Sequence, residues 1–115
     1  MIIFLINFHK VYNVILFLYV MRAKGFKPKN AEELKKNIKE YAPKAGIKVN
    51  PDTKQTEMIM KGLMKNKENH GEVYCPCRVV TGDKEKDEEI ICPCVFHRGE
   101  IELERHCRCF LFVEK

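Results

Sequence analysis

The sequence has no cysteine in its first 74 positions. A secreted disulfide framework spreads its cysteines so as to close loops along the whole chain, and that gap argues against one. No C-x2-C spacing occurs either, which weakens the reading as an ordinary zinc module. No basic residue precedes the one long apolar run and no small-residue cleavage site follows it, so the run does not read as a secretory signal. Basic residues are nowhere interleaved with aromatics in the manner of a nucleic-acid-binding surface, and no domain-sized internal repeat is visible. Excess charge is modest: 21 Lys and Arg against 16 Asp and Glu leave +5, which favours an acidic partner without specifying one.

A chain of 115 residues allows one domain with a modest core, and its 45% hydrophobic and 32% charged residues suit a chain that folds rather than one that is disordered or wholly membrane-embedded. Domains this small are often stapled by a metal or by disulfides. Residues 1–21, MIIFLINFHKVYNVILFLYVM, carry Lys10 as their one fixed charge, and the stretch from Arg22 to Lys29 turns abruptly basic. We therefore expect a hydrophobic N-terminal extension over 1–21 and a folded domain over 22–115. The extension has the length of a membrane anchor, but Asn7, His9, Lys10 and Asn13 sit near its middle, where polar groups are costly. An apolar helix packed on the domain or a partner competes with a gene start placed too far upstream, the working protein then beginning at Met21; the latter is preferred.

Asn30 followed three residues later by Glu33 reads as a helix start, and Leu34, Ile38 and Tyr41 recur on one face until Pro43, where the helix is expected to stop. Ile47-Lys48-Val49 alternates as a short strand does. Asn50-Pro51-Asp52 offers a second start, Ile59, Met60, Leu63 and Met64 form i, i+4 pairs, and Gly71 is expected to mark the exit. Lys and Glu along both helices read as solvated faces, and Met58, Met60 and Met64 read as core filling rather than ligands. His9 and His70 read as exposed or structural.

The six cysteines fall into three C-x-C pairs, Cys75/Cys77, Cys92/Cys94 and Cys107/Cys109. Sulfur gathered at one locus is the pattern of a metal site. A [4Fe–4S] cluster takes four thiolates, one per iron, so six gathered cysteines leave two over, and two spare thiols beside a redox centre are able to form a disulfide. Pro76 and Pro93 each fix the backbone inside a pair, and in an extended C-x-C the two side chains point to opposite faces, so one thiol binds metal while its neighbour faces elsewhere. The spacing does not say which pair is spare.

The strings Cys75-Pro76-Cys77-Arg78, Cys92-Pro93-Cys94-Val95 and Cys107-Arg108-Cys109, the last followed by Phe110-Leu111-Phe112, resemble the catalytic (β) chain of ferredoxin:thioredoxin reductases. The resemblance reaches back through Ile59-Met60-Lys61-Gly62-Leu63 and covers roughly residues 30 to 115. It implies that Cys75, Cys92, Cys94 and Cys107 bind a [4Fe–4S] cluster and that Cys77 and Cys109 form a redox-active disulfide. It implies further that Cys77 is the accessible thiol that attacks a thioredoxin disulfide and that Cys109 lies against the cluster. Ferredoxin would supply electrons singly, whereas a disulfide takes two. The implied fold is mainly α, a small single domain of short helices around a loop-borne cluster. The implied partners are ferredoxin and a thioredoxin- or glutaredoxin-like protein, with a variable subunit compatible with the pattern. Oxygen-sensitive chemistry and the lack of a secretory signal point to the cytoplasm.

Two features depart from the family pattern. The gap between Cys77 and Cys92 holds 14 residues and that between Cys94 and Cys107 holds 12, the first shorter and the second longer than in the plant-type pattern. Loop changes of this kind alter which partners fit more than they alter the chemistry. The family's C-H-C also carries a histidine where this chain has Arg108, which cannot titrate in the useful range although its charge lowers a nearby thiol's pKa. His106 and His97 are the candidates for the missing proton donor, and His106 is preferred because on a strand-like stretch it shares a face with Arg108. Two rival readings stand beside the reductase. One is a non-enzymatic zinc module, nucleic-acid binding among its uses, against which six cysteines overfill a single tetrahedral site. The other is an electron carrier that keeps the cluster but has no disulfide.

Overall fold

Asn30 begins the first helix as its chemistry favours: its Oδ1 accepts the N–H of Glu33 at 2.8 Å, satisfying a donor that has no partner within the helix. The computed structural model describes residues 25–115, and the apolar extension over 1–21 lies outside the described residues. Helix α1 (Ala31–Lys44) buries Leu34, Ile38 and Ala42 on one face. Pro43 lies inside the last turn rather than beyond it. A proline this close to the C-terminus removes one N–H without disrupting turns that follow, because none does, and the N–H of Ala45 closes the end on the carbonyls of Tyr41 and Ala42 at 3.0 and 3.2 Å. Strand β1 (Lys48–Val49) follows, as the alternation at 47–49 suggested.

Asp52 then accepts the N–H of Gln55 at 3.2 Å and starts helix α2 (Thr53–His70), which ends where expected, at Gly71 with φ 92°. Thr56, Ile59 and Leu63 face the core, and Met60 and Met64 pack against it half-buried. Met58 is 73% exposed, so the core reading fails for it; it stands one residue off the Ile59–Leu63 row and is carried round to solvent. Two short helices that the residue pattern did not delimit come next: α3 (Lys84–Glu88), capped by the Asp83 carboxylate, and α4 (His97–Glu104). Strand β2 (Phe112–Val113) pairs antiparallel with β1, Lys48 opposite Val113 and Val49 opposite Phe112, which returns the C-terminal segment to the base of α1 and α2.

The expected small, mainly helical domain is what forms, with one two-stranded ribbon. Leu34, Ile38, Leu63, Val73, Leu111 and Phe112 are fully buried, and Cys75, Cys92, Cys107 and Cys109 belong to the same apolar cluster. Among the described residues no helix is long and apolar enough to cross a membrane.

Gly62 sets how closely α2 approaches the first C-P-C. A Cβ there would stand 2.9 Å from the Cβ of Pro76 and 3.3 Å from its Cγ, and the proline ring has no rotamer with which to retreat. Alanine ordinarily stabilises a helix interior by about 1 kcal/mol over glycine. Here Gly62→Ala is expected to lower the thermal midpoint instead, because the first cysteine loop must shift; a higher midpoint in a calorimetric melt would contradict this packing.

Candidate metal and thiol site

Three chain segments deliver the cysteines. Residues 73–75 and 90–92 run antiparallel: the N–H of Cys75 donates to Ile90 O at 2.8 Å, that of Cys92 donates to Val73 O at 2.9 Å, and Tyr74 bridges to Ile91 between them. Asn66 on α2 steadies the first segment by donating Nδ2–H to Tyr74 O at 2.7 Å, and the N–H of Phe26 holds the second at Cys92 O, 2.9 Å away. Cys94 leads into α4, where the N–H of His97 donates to its carbonyl at 3.2 Å. The third segment is a turn: the N–H of Phe110 closes on Cys107 O at 2.9 Å, with Phe110 at φ 63°. That left-handed conformation is uncommon for a bulky side chain, and Asn50 restrains it by donating Nδ2–H to Phe110 O at 2.8 Å.

Cys75, Cys92, Cys94, Cys107 and Cys109 are buried and line one cavity, whose apolar wall includes Ile59, Leu63, Leu111 and Phe112. Cys77 is exposed. The expectation that each C-x-C pair divides between two faces therefore holds for Cys75/Cys77 alone. Cys92 and Cys94 both face the cavity, and so do Cys107 and Cys109. All six thiols are free; the Cys75 and Cys109 sulfurs approach to 2.8 Å, a thiol–thiol contact, and the Cys77 sulfur also lies within reach of Cys109.

Burial pushes the Cys92 thiol well up, with the neighbouring cysteines adding to it. It pushes Cys94 up to about 11, against the N–H of Phe96 and the charge of Arg78. It raises Cys107 as well, although the amides of Phe112, Leu111 and Cys109 face that sulfur, the Phe112 nitrogen at 3.4 Å. The hydrogen bond between Cys75 and Cys109 eases ionisation of the first and pushes the second up. Buried thiols that resist ionisation yet are met by amide donors suit a cationic metal centre, which supplies the charge that makes them thiolates. Among the described residues no three His, Cys, Asp or Glu side chains form a group that could hold a metal ion. A [4Fe–4S] cluster takes four thiolates, one per iron. The donor set fits such a cluster with one buried thiol to spare.

Of the two candidate histidines, His97 lies on the cavity wall and His106 does not. The His97 Nδ1 faces the carbonyl of Cys94; a carbonyl only accepts, so Nδ1 carries the proton and Nε2 accepts from Tyr41 Oη at 2.7 Å. Burial lowers the pKa of His97, in keeping with this neutral tautomer. His106 stacks on Phe110 with ring centroids 3.7 Å apart, and its Nδ1 sits 2.8 Å from Cys107 O. Because residues 107–110 form a turn, alternation does not place His106 on a common face with Arg108.

Residues that the sequence reading passed over support the site. Arg78 Nη2 contacts Glu100 Oε2 at 2.7 Å, its guanidinium lies 4.5 Å from the centre of the Phe96 ring, and the Cys94 sulfur is within its reach. Burial works against the charge of Arg78, but Cys94 and Glu100 outweigh it and raise its pKa. The other oxygen of Glu100 accepts the N–H of Arg108 at 3.3 Å, so one carboxylate ties the chain after Cys77 to the chain before Cys109. The quoted C-P-C-R string contained Arg78, whereas nothing in the pattern marked Glu100, 22 residues on in another element.

Asp87 organises the loop that follows Cys77. Its carboxylate accepts the N–H of Thr81 at 2.9 Å, the Thr81 hydroxyl at 2.8 Å and the N–H of Gly82 at 2.9 Å. These bonds, led by the Thr81 amide, hold its pKa below the usual carboxylate value. A depressed folded-state pKa stabilises above the unfolded value and the contribution is lost as pH falls through the folded one. The stability advantage of the wild type over Asp87→Asn is therefore expected to be greatest near neutrality and to shrink as pH drops below about 4. Urea midpoints of the two proteins across that range check this, and a difference that does not vary with pH would count against it.

A family model described as Ferredoxin thioredoxin reductase catalytic beta chain matches residues 26–115. Among curated proteins, the "Ferredoxin-thioredoxin reductase, catalytic chain" of Pyropia yezoensis is 33% identical over 51 residues, covering 44% of this chain and 44% of that protein. The "Ferredoxin-thioredoxin reductase catalytic chain, chloroplastic" of Arabidopsis thaliana is 34% identical over 61 residues, covering 52% of this chain and 42% of that protein. The match thus spans less than half the length of either relative.

Proposed function

The chain belongs to the ferredoxin thioredoxin reductase catalytic beta chain family, and from that we propose that it reduces the disulfide of a thioredoxin- or glutaredoxin-like protein with electrons from ferredoxin. One observation carries this reading: five thiols line a buried cavity while the sixth, Cys77, is exposed within reach of the fifth, Cys109. By motif position Cys75, Cys92, Cys94 and Cys107 would hold a [4Fe–4S] cluster, which when bound exchanges electrons one at a time. Cys77 and Cys109 are then the redox pair. Chemistry of this kind belongs in a reducing compartment such as the cytoplasm.

With the pair reduced, the exposed Cys77 thiolate attacks one sulfur of the substrate disulfide. That S–S bond breaks, one substrate sulfur leaves as a thiolate, and Cys77 is joined to the other in a mixed disulfide. Cys109, kept protonated by the Cys75 contact and by burial, gives up its proton and attacks the Cys77 sulfur. The second substrate thiolate leaves and the Cys77–Cys109 disulfide closes. Two electrons and two protons have then passed to the substrate, so ferredoxin must deliver twice to restore the pair. For the proton we assign His106: the Cys107 carbonyl holds its Nδ1, and its Nε2 makes no hydrogen bond among the described residues. His97, committed at both ring nitrogens, holds the Cys94 loop instead.

Protein purified without oxygen is expected to contain about four irons per chain, as a [4Fe–4S] cluster requires. Cys77→Ser should keep that iron and lose ferredoxin-driven reduction of thioredoxin, whereas Cys92→Ser should lose the iron. Thiol titration should find two more reactive thiols after reduction than before. Stoichiometric zinc without iron, or equal iron loss in both variants, would overturn the assignment.

A further inference from the structure

Arg78 turns its side chain inward from the exposed thiol loop. Its N–H donates to Cys75 O at 3.1 Å, closing a tight turn around Cys77, so Cys77 looks outward while the next residue folds back. The side chain is 14% exposed, and a guanidinium so enclosed is costly unless its charge and its donors are matched. Glu100 takes the Nη2 group and the Phe96 ring covers one face. Nε is buried and makes no hydrogen bond. The guanidinium lies over the ring of Phe96, two residues past Cys94, and the Cys94 sulfur is the thiol its charge meets.

We propose that Arg78 is a positioning residue for the redox centre: moored by Glu100 and stacked on Phe96, it holds its positive charge beside Cys94, and so favours the reduced cluster over the oxidised one. The inference rests on the reading of Cys94 as a cluster ligand. Reduction adds one negative charge to the centre, and a fixed positive charge nearby lowers the free energy of that state, more strongly where water is excluded. Glu100 lies against the guanidinium, and its opposite charge acts on Cys94 less strongly than that of Arg78. The two residues therefore pull in opposite senses, which separates a charge effect from simple loosening of the site.

The test is an EPR-monitored redox titration of the iron-loaded full chain, with iron content measured alongside. Arg78→Gln is expected to lower the reduced-to-oxidised ratio at a given potential about tenfold, a negative shift of about 59 mV for one electron. Glu100→Gln is expected to shift the potential the other way, and Arg78→Lys, which keeps the charge but not the flat guanidinium, to fall between wild type and Arg78→Gln. Shifts of the same sign in Arg78→Gln and Glu100→Gln, or less than a twofold change in the ratio for both, would overturn the proposal. Should Arg78→Gln fail to keep its iron, Arg78→Lys and Glu100→Gln still decide the sign. Wild type that takes up no iron would sink the functional reading and this inference together, whereas iron-loaded wild type with unmoved variant potentials sinks this inference alone.

Discussion

Everything in this small domain is arranged around the burial of five thiols against an apolar core. Thiolates are disfavoured there, and thiols at such a site form few hydrogen bonds with one another, so the chain must supply both the enclosure and the backbone donors. It does so with little regular structure. The α1–α2 pair gives the floor through Leu34, Ile38, Ile59 and Leu63, and the cysteines arrive on segments that are neither helix nor sheet. Those segments are fixed by individual backbone bonds, Cys75 to Ile90, Cys92 to Val73 and Cys107 to Phe112. The same bonds leave amides free to face sulfur, as the N–H of Phe112 faces Cys107.

This construction explains what could be read from the residues. Helices α1 and α2 carried local signals: Asn30 and Asp52 as caps, Gly71 as a left-handed exit, and apolar residues at helical spacing. Local signals survive without knowledge of the rest of the chain. The C-x-C pairs were legible as a metal locus for a similar reason, since gathered sulfur is a matter of sequence. How each pair would face was not. Alternation is a property of extended backbone, and all three pairs lie where the chain bends or turns, so which thiols face the cavity follows from the turns and not from the spacing. The argument that put His106 on one face with Arg108 does not apply, for it assumed a strand where a turn closes from Cys107 to Phe110. The β1–β2 pairing and the Arg78–Glu100 contact join residues far apart in sequence, and no periodicity foreshadows them.

The departure from family pattern at Arg108 can now be placed. Its backbone, rather than its guanidinium, is tied down, with the N–H donating to Glu100, and the residue is exposed. The position between the last two cysteines is thus fixed by main-chain geometry that histidine and arginine satisfy equally. Exchange of one for the other leaves the turn intact and replaces a titratable group with a permanent positive charge. The shorter gap between Cys77 and Cys92 is closed in a comparable way: Asp87 collects the Thr81 and Gly82 donors and lets the chain reverse within few residues.

The proposed pairing of Cys77 with Cys109 brings the same chemical group into two opposed settings, and the proposed order of events follows from that opposition. An attacking thiol has to meet a disulfide on another protein, so it must be exposed; Cys77 is. A resolving thiol must stay inert until the mixed disulfide exists, for otherwise both thiols would compete for the same substrate sulfur. Burial and the contact with Cys75 keep Cys109 protonated and withdrawn from solvent. Neither property belongs to cysteine itself. Each comes from where the fold leaves the side chain: Cys77 beyond a C-P-C turn that α2 presses from below at Gly62, Cys109 inside a turn that Asn50 restrains at Phe110. Sequential reactivity therefore needs no moving part, because the difference in exposure already puts one thiol first.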